Sequence, residues 1–334
     1  MQTDYYSKPR AWKHNELNFA AKGRRRAKWR SLPLLTSLVE RIFGKYRMKW
    51  SQHWLFECGE TGVIAPGQWL WLRAAVWMAL LFCFTTAAFF GSFQLPDWLS
   101  LIAGSDYYCA IILPALCALV YAAAVRYIER RPVSELVLRY APVEFLAGLL
   151  VGFAFISLVL LLLWSLGLYD VGMGHWRHWY NYFIFNAYVS AVLEELAFRA
   201  IVLRLIARVA GPVTGLIISA ALFAAAHATH ASPAAMVQVG VAGLVFGVLY
   251  MKSGRLWLSI GTHLGYDFTE WSLMGVGDKD GVLVISPAPH ASALLTGGSF
   301  GPDGSVLTTL VGLLFIGAIL SAGAFHRANL RRVR

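Results

Sequence analysis

The sequence predicts an all-α, polytopic membrane protein of about eight transmembrane helices, preceded by a basic amphipathic N-terminal segment. Three observations predict it. Hydrophobic residues make up 58% of the chain and charged ones 14%, where soluble domains carry about a quarter charged residues, so lipid is the solvent that suits this composition. Apolar runs long enough to cross a hydrocarbon core of about 30 Å, roughly 20 residues each, recur from Trp69 onward. The connections between those runs alternate in charge.

The runs lie near 70–93, 108–128, 143–167, 181–203, 213–230, 234–251, 256–274 and 306–326. Basic residues follow every second one: Arg126, Arg130, Arg131 and Arg139; Arg204 and Arg208; Lys252 and Arg255; Arg327, Arg331, Arg332 and Arg334. The other connections hold only Arg177 and Lys279. The positive-inside rule then puts both termini in the cytoplasm and the chain in the cell membrane as a multi-pass protein. Trp164, Trp176, Trp179, Tyr180 and Tyr182 gather where interfacial aromatics belong. The long outer connection, 275–305, is rich in Gly, Ser and Pro and is expected to lack regular structure.

Ahead of the spans, residues 1–68 form a basic cytoplasmic or interfacial arm. Its first fifty residues carry thirteen Lys and Arg against three acids, ten of the eleven units of net charge. Beside membrane spans, anionic lipid is the partner this charge suits, and no nucleic acid is expected. Leu35, Leu38, Val39, Ile42, Phe43 and Tyr46 recur at helical spacing, as in a helix lying in the interface. No apolar core follows the first charges closely, so the arm does not read as a cleaved signal peptide. Cys58, Cys83, Cys109 and Cys117 form no metal-type pair and read as packing residues.

Charges inside the spans are the exception that points to chemistry, because an acidic side chain near a helix centre costs about 2.5 to 3.5 kcal/mol on insertion scales. Glu194, Glu195 and Arg199 share one run, His227 lies in the next, and His263, Asp267 and Glu270 lie in another. Residues four apart lie about 40° apart around a helix. Arg199 therefore faces Glu195, and Glu194 is left without a local partner. His263 and Asp267 share a face, as do Phe223 and His227. A free carboxylate, two imidazoles and a second carboxylate on separate helices could activate water for hydrolysis. The same groups could serve a proton-coupled transporter, or simply bind helices together, and the residue types alone leave these readings open.

The three blocks, EELAFR (Glu194 to Arg199), FAAAH (Phe223 to His227) and HLGYD (His263 to Asp267), resemble the EExxxR, FxxxH and HxxxN/D blocks of the CAAX prenyl endopeptidase and bacteriocin-processing family of glutamic intramembrane proteases. They stand in the family's order with helix-sized gaps. The resemblance implies that 181–275 holds the catalytic helices, 69–180 accessory ones, and 276–334 an outer loop, the last span and a basic tail. It implies an intramembrane endopeptidase acting on a membrane-associated protein or peptide. Glu194 would be the base for water and His227 would help to orient that water. Glu195, Arg199 and Phe223 would support the site from behind, and His263 and Asp267 would face the oxyanion. The prenyl-protease branch has Asn where this chain has Asp267, and an Asp donates a hydrogen bond only when protonated. The family works without a cofactor; the alternative is Zn²⁺ on Glu194, His227, His263 and Asp267, although no HExxH is present.

Two other patterns carry less. GGSFG, Gly297 to Gly301, fits the serine-hydrolase elbow, but that motif needs a strand, a sharp turn and a helix. GVGD, Gly275 to Asp278, looks like the presenilin-type aspartyl motif, with Tyr169-Asp170 and Pro114-Ala115-Leu116 as would-be companions, but the Pro-Ala-Leu block falls before the aspartates rather than after them and Asp278 lies in a polar loop. One tension remains: His227 falls near the outer end of its run and His263 near the inner end of its own, so a shared site requires offset or tilted helices.

Overall fold

The computed structural model describes residues 61–94, 106–177, 179–229, 231–277 and 281–330. Residues 1–60 of the basic arm with its amphipathic stretch and lipid contact, Cys58, His178, His230, the Asp278 to Asp280 segment and the basic tail from Arg331 to Arg334 lie outside the described residues. Long helices dominate the rest: α1 (Leu70–Gln94), α2 (Asp106–Tyr127), α3 (Ala141–Ser165), α4 (179–210), α5 (Pro212–Ala226), α6 (Pro233–Ser253), α7 (256–273) and α8 (Val306–Leu330). Among the described residues five helical stretches, Leu70–Phe93, Ala110–Tyr127, Ser134–Ser165, Pro233–Ser253 and Gly298–Ser321, are long and apolar enough to cross a membrane. α5 is shorter, at 15 residues. α4 and α7 carry the charged blocks and are wound partly with i to i+5 bonds, over Tyr182–Val189, Leu196–Leu203 and Phe268–Leu273. Such wide turns recur at functional sites.

Local sequence explains the helix ends. Pro212 opens α5 after Gly211, whose φ of +92° suits glycine. Ser232 caps α6 by accepting from the Ala235 amide at 3.2 Å, Pro233 occupies its first turn, and Gly254 closes it in the left-handed region.

Two small-residue pairs weld α3 to α7. A β-carbon on Gly148 would lie 2.5 Å from Leu258 O, and one on Gly152 2.1 Å from Thr262 O. Reciprocally, β-carbons on Gly261 and Gly265 would lie 2.3 Å from Phe145 O and 2.4 Å from Leu149 O. Backbone therefore packs on backbone, as small-xxx-small pairs allow. His263 sits between Gly261 and Gly265, so this contact sets its depth.

The expectation for 275–305 needs correction, because the connection is structured. Leu283–Pro287 pairs antiparallel with Tyr169–Met173, register Tyr169 to Pro287, as strands β2 and β1. This small sheet sits at the edge of an otherwise helical molecule, which is consistent with the all-α class. A helical turn follows at Ala293–Thr296, then a tight 3₁₀ stretch at Gly298–Gly304. Tyr169 Oη donates to Thr296 O at 2.6 Å, tying strand to turn.

At one end of the bundle, a buried ion network joins four elements. Arg131 donates to Glu129 at 2.7 Å and to both oxygens of Glu135 at 2.6 and 2.9 Å. Arg204 of α4 donates to both oxygens of Glu129, at 2.7 and 3.0 Å, and Trp77 of α1 adds a bond at 2.9 Å. Tyr121 of α2 donates to Glu135. Burial pushes the Glu129 carboxyl up, but Arg204 and Arg131 outweigh it and hold the group below the usual carboxylate range. Arg131 and Arg204, with Arg255 bound to Glu144, are therefore neutralised locally.

Candidate active site

Glu195 is the hub of the cluster. Fully buried, it forms an ion pair with Arg199, Nη1 at 2.9 Å, and lies 3.0 Å from His263 Nδ1 through the same oxygen, Oε1. The four-residue spacing places Arg199 over Glu195, one turn along α4. Arg199 is itself buried, donates to Gly243 O at 3.2 Å, and packs its guanidinium over the rings of Phe223 and Phe246, 4.6 and 5.2 Å from their centroids. Glu195 thus links a guanidinium and an imidazole on two helices rather than closing a single pair.

The opposite edge of the His263 ring meets two more carboxylates. Nε2 lies 3.4 Å from Asp267 Oδ2, one turn along α7, and 4.0 Å from Glu194 Oε2. Both ring nitrogens therefore face acidic oxygens, and a doubly protonated ring would find an acceptor on each side. The ring plane is fixed by Phe246, stacked on it with centroids 4.6 Å apart at 17°, and by Phe223, edge-on at 6.0 Å. Glu194 Oε2 is buried and has no hydrogen-bond partner among the described residues.

His227 joins this group by another route. It caps the end of α5, and its Nδ1 lies 2.9 Å from Phe223 O, so that nitrogen carries a hydrogen and donates it to the carbonyl. Its ring lies 5.0 Å from that of Phe223, which in turn meets His263. Among the described contacts, His227 reaches the cluster through Phe223 and not through Glu194. α5 stops at Ala226 instead of continuing outward, and Phe223, bridging both imidazoles, is what brings the two depths together.

Glu270, seven residues beyond His263 on α7, is buried, with Oε2 lacking a hydrogen-bond partner among the described residues. Sequence reasoning missed Asp303. Tyr266, next to Asp267, donates to Asp303 of the Gly298–Gly304 stretch. Asp303 lies within electrostatic range of His227 and His263, and of Asp267 and Glu270. Nothing local in GPDG signals this, because the contact depends on how the outer connection folds back. Among the described residues, no group of three or more His, Cys, Asp or Glu side chains has an arrangement that could hold a metal ion.

The buried carboxylates and imidazole sit in a bundle whose apolar helices suit a membrane-embedded protein. Residues 176–269 match the family model described as Type II CAAX prenyl endopeptidase Rce1-like, the family that the three blocks resemble. The match supports a CAAX-protease-type hydrolase of the membrane as the general class. It runs from just before α4 into α7 and leaves α1 to α3, Glu270 and Asp303 outside. No curated protein and no solved structure matches the chain.

Proposed function

We propose that the chain is a glutamate-dependent intramembrane endopeptidase, hydrolysing a peptide bond of a membrane-associated protein or peptide with Glu194 as the base. One observation carries the reading: Glu194 Oε2 is buried, has no hydrogen-bond partner among the described residues and lies 4.0 Å from His263 Nε2, while the adjacent Glu195 is committed to Arg199 and His263. That separation is long for a direct hydrogen bond and suits a water held by both groups. Glu194 takes a proton from this water as its oxygen attacks the carbonyl carbon. His263, oriented by Glu195 and Asp267, faces the developing oxyanion. When the intermediate collapses the C–N bond breaks, the proton passes to the amine nitrogen, and a carboxylate and an amine leave.

The same reading places the protein in the cell membrane as a multi-pass chain of about eight crossings, with both termini cytoplasmic and the basic arm on anionic lipid. No cofactor is invoked, and a metal ion is the rival for the same side chains.

Cells carrying the parent and Glu194→Gln or His227→Ala proteins at matched membrane levels test it, read by comparing the protein termini in their membrane fractions. Termini present with the parent should form at least about 10²-fold more slowly with Glu194→Gln, the scale of a lost general base. Equal termini in parent and variant would overturn the proposal, and gradient-driven uptake into proteoliposomes by the same protein would then favour a carrier. Loss of the termini with a chelator, restored by Zn²⁺, would replace the metal-free mechanism.

A further inference from the structure

α7 changes its winding beside the site. It is α-helical from Leu256 to Asp267, and from Phe268 to Leu273 it runs with i to i+5 bonds. Thr269 Oγ1 donates to Gly265 O at 2.6 Å across this junction. Where the junction falls matters to the chemistry. His263 and Asp267 share a face, with Nε2 and Oδ2 3.4 Å apart, because the turn between them is α-wound. Were the wide winding to begin one turn earlier, the same four residues would subtend a smaller angle around the axis. The carboxylate would then leave the edge of the ring.

Two contacts hold this junction. The first is with α3, where a β-carbon on Gly265 would lie 2.4 Å from Leu149 O and the Phe155 ring meets that of Tyr266 with centroids 5.7 Å apart. The second is with the outer connection, where Tyr266 Oη donates to Asp303 Oδ1. The residues flanking Asp303 make it a fixed end. Pro302 O accepts from Thr308 Oγ1 at 2.6 Å and from the Ser305 amide at 2.9 Å. A β-carbon on Gly304 would lie 2.6 Å from Gly297 O, and Gly301, at a φ of +77°, holds a conformation that suits glycine. The turn also lies against α7 one helical turn beyond Tyr266, since a β-carbon on Gly301 would stand 3.9 Å from Glu270 Oε1.

We infer that Tyr266 and Asp303 are positioning residues for Asp267: their hydrogen bond pins α7 where ordinary winding gives way to wide winding, and so keeps Asp267 one α-turn from His263. The inference rests on the endopeptidase reading for its kinetic arm. Asp303 acts through Tyr266 and the backbone that Tyr266 shares with Asp267, not by touching a catalytic ring. The Gly298–Gly304 stretch is thereby a working part of the site, although it lies outside the family match and outside the three blocks on α4, α5 and α7.

Two measurements test this. In purified protein carrying ¹⁵N-labelled histidine, with the His263 ring signals assigned by their loss in His263→Gln, Tyr266→Phe and Asp303→Leu should each shift those ring nitrogens. Asp303→Asn keeps an oxygen for Tyr266 and should shift them less. Tyr188→Phe, which loses a bond from its Oη to Ile111 O at 3.1 Å, should leave them in place. Unshifted His263 nitrogens in Tyr266→Phe, or an equal shift in Tyr188→Phe, would overturn the inference whatever the substrate. In cells, Tyr266→Phe should slow formation of the Glu194-dependent termini about 10- to 100-fold, the scale of a reacting group held out of place. Asp303→Asn should keep more of the rate than Asp303→Leu. In an Asp267→Ala background Tyr266→Phe should have almost no further effect, because residues acting as one unit are not additive. Full additivity with Asp267→Ala, or a rate equal to the parent's, would overturn it. If no termini depend on Glu194, the endopeptidase reading fails and the nitrogen shifts alone decide whether Tyr266 and Asp303 position Asp267.

Discussion

At the residue scale, the adjacent glutamates of α4 have opposite circumstances despite identical chemistry. Glu195 has no exposed surface and holds Arg199, also without exposed surface, at 2.9 Å. Removing one member of such a pair leaves an uncompensated buried charge, at a cost of about 3–5 kcal/mol, whereas replacing both with apolar or neutral groups of similar volume is far milder. Glu195→Gln should therefore destabilise by about that amount, although the amide oxygen still accepts from His263 Nδ1. Glu195→Gln with Arg199→Met should recover at least half of the loss. Unfolding of the purified proteins in graded denaturing detergent measures both, and a double variant no more stable than the single would show that the pair is not what Glu195 holds together. Glu194→Gln, which leaves no buried cation alone, should cost little stability while removing turnover. That difference separates a residue kept for chemistry from one kept for structure.

At the element scale, the α3–α7 contact holds the histidine block in place. Gly265→Ala would put a β-carbon 2.4 Å from Leu149 O, and Gly152→Ala one 2.1 Å from Thr262 O, so the helices must separate. Overpacking of this kind costs about 1–3 kcal/mol, and because His263 and Asp267 ride on α7, activity should fall together with stability. Gly317→Ala on α8, with nothing within 4 Å of the new β-carbon, is the control and should stay within about 0.5 kcal/mol of the parent. Thermal melts of the three variants beside the rate of terminus formation check this; an active, fully stable Gly265→Ala would refute it. The contact also shows what could be read in advance. The helices were legible from apolar runs, and the Glu195 to Arg199 and His263 to Asp267 spacings were legible because a helix converts a gap of four into proximity. GLLVG and GTHLG were legible too, as two small-xxx-small pairs in neighbouring hydrophobic stretches, but nothing in either names the other as its partner. β1 and β2 were not legible: five residues each, with Gly172 and Asp170 in one and Pro287 ending the other, they give little strand signal. Asp303 was hidden for the same reason, since a polar glycine-rich connection reads as solvent-facing until its fold is known.

At the scale of the whole molecule, the ion network at Glu129 ties α1 and α2, which lie outside the family match, to α4, which carries Glu194. Trp77, Arg131 and Arg204 converge on a single carboxylate, and Arg204 lies five residues beyond Arg199 on the same helix. Because the folded Glu129 carboxyl is held below its ordinary value, near 4.3 in the unfolded chain, folding favours its charged form. That stabilisation is fully present above the unfolded value and is lost as pH falls through the folded one. The melting temperature in detergent should therefore fall as pH is lowered past about 4. Glu129→Gln should melt lower than the parent at pH 7, because Arg204 and Arg131 lose their shared acceptor, and should lose less on acidification, because the group that titrates is gone. Parallel melting curves for the two proteins across this range would mean that Glu129 is not the link that ties α1 and α2 to α4.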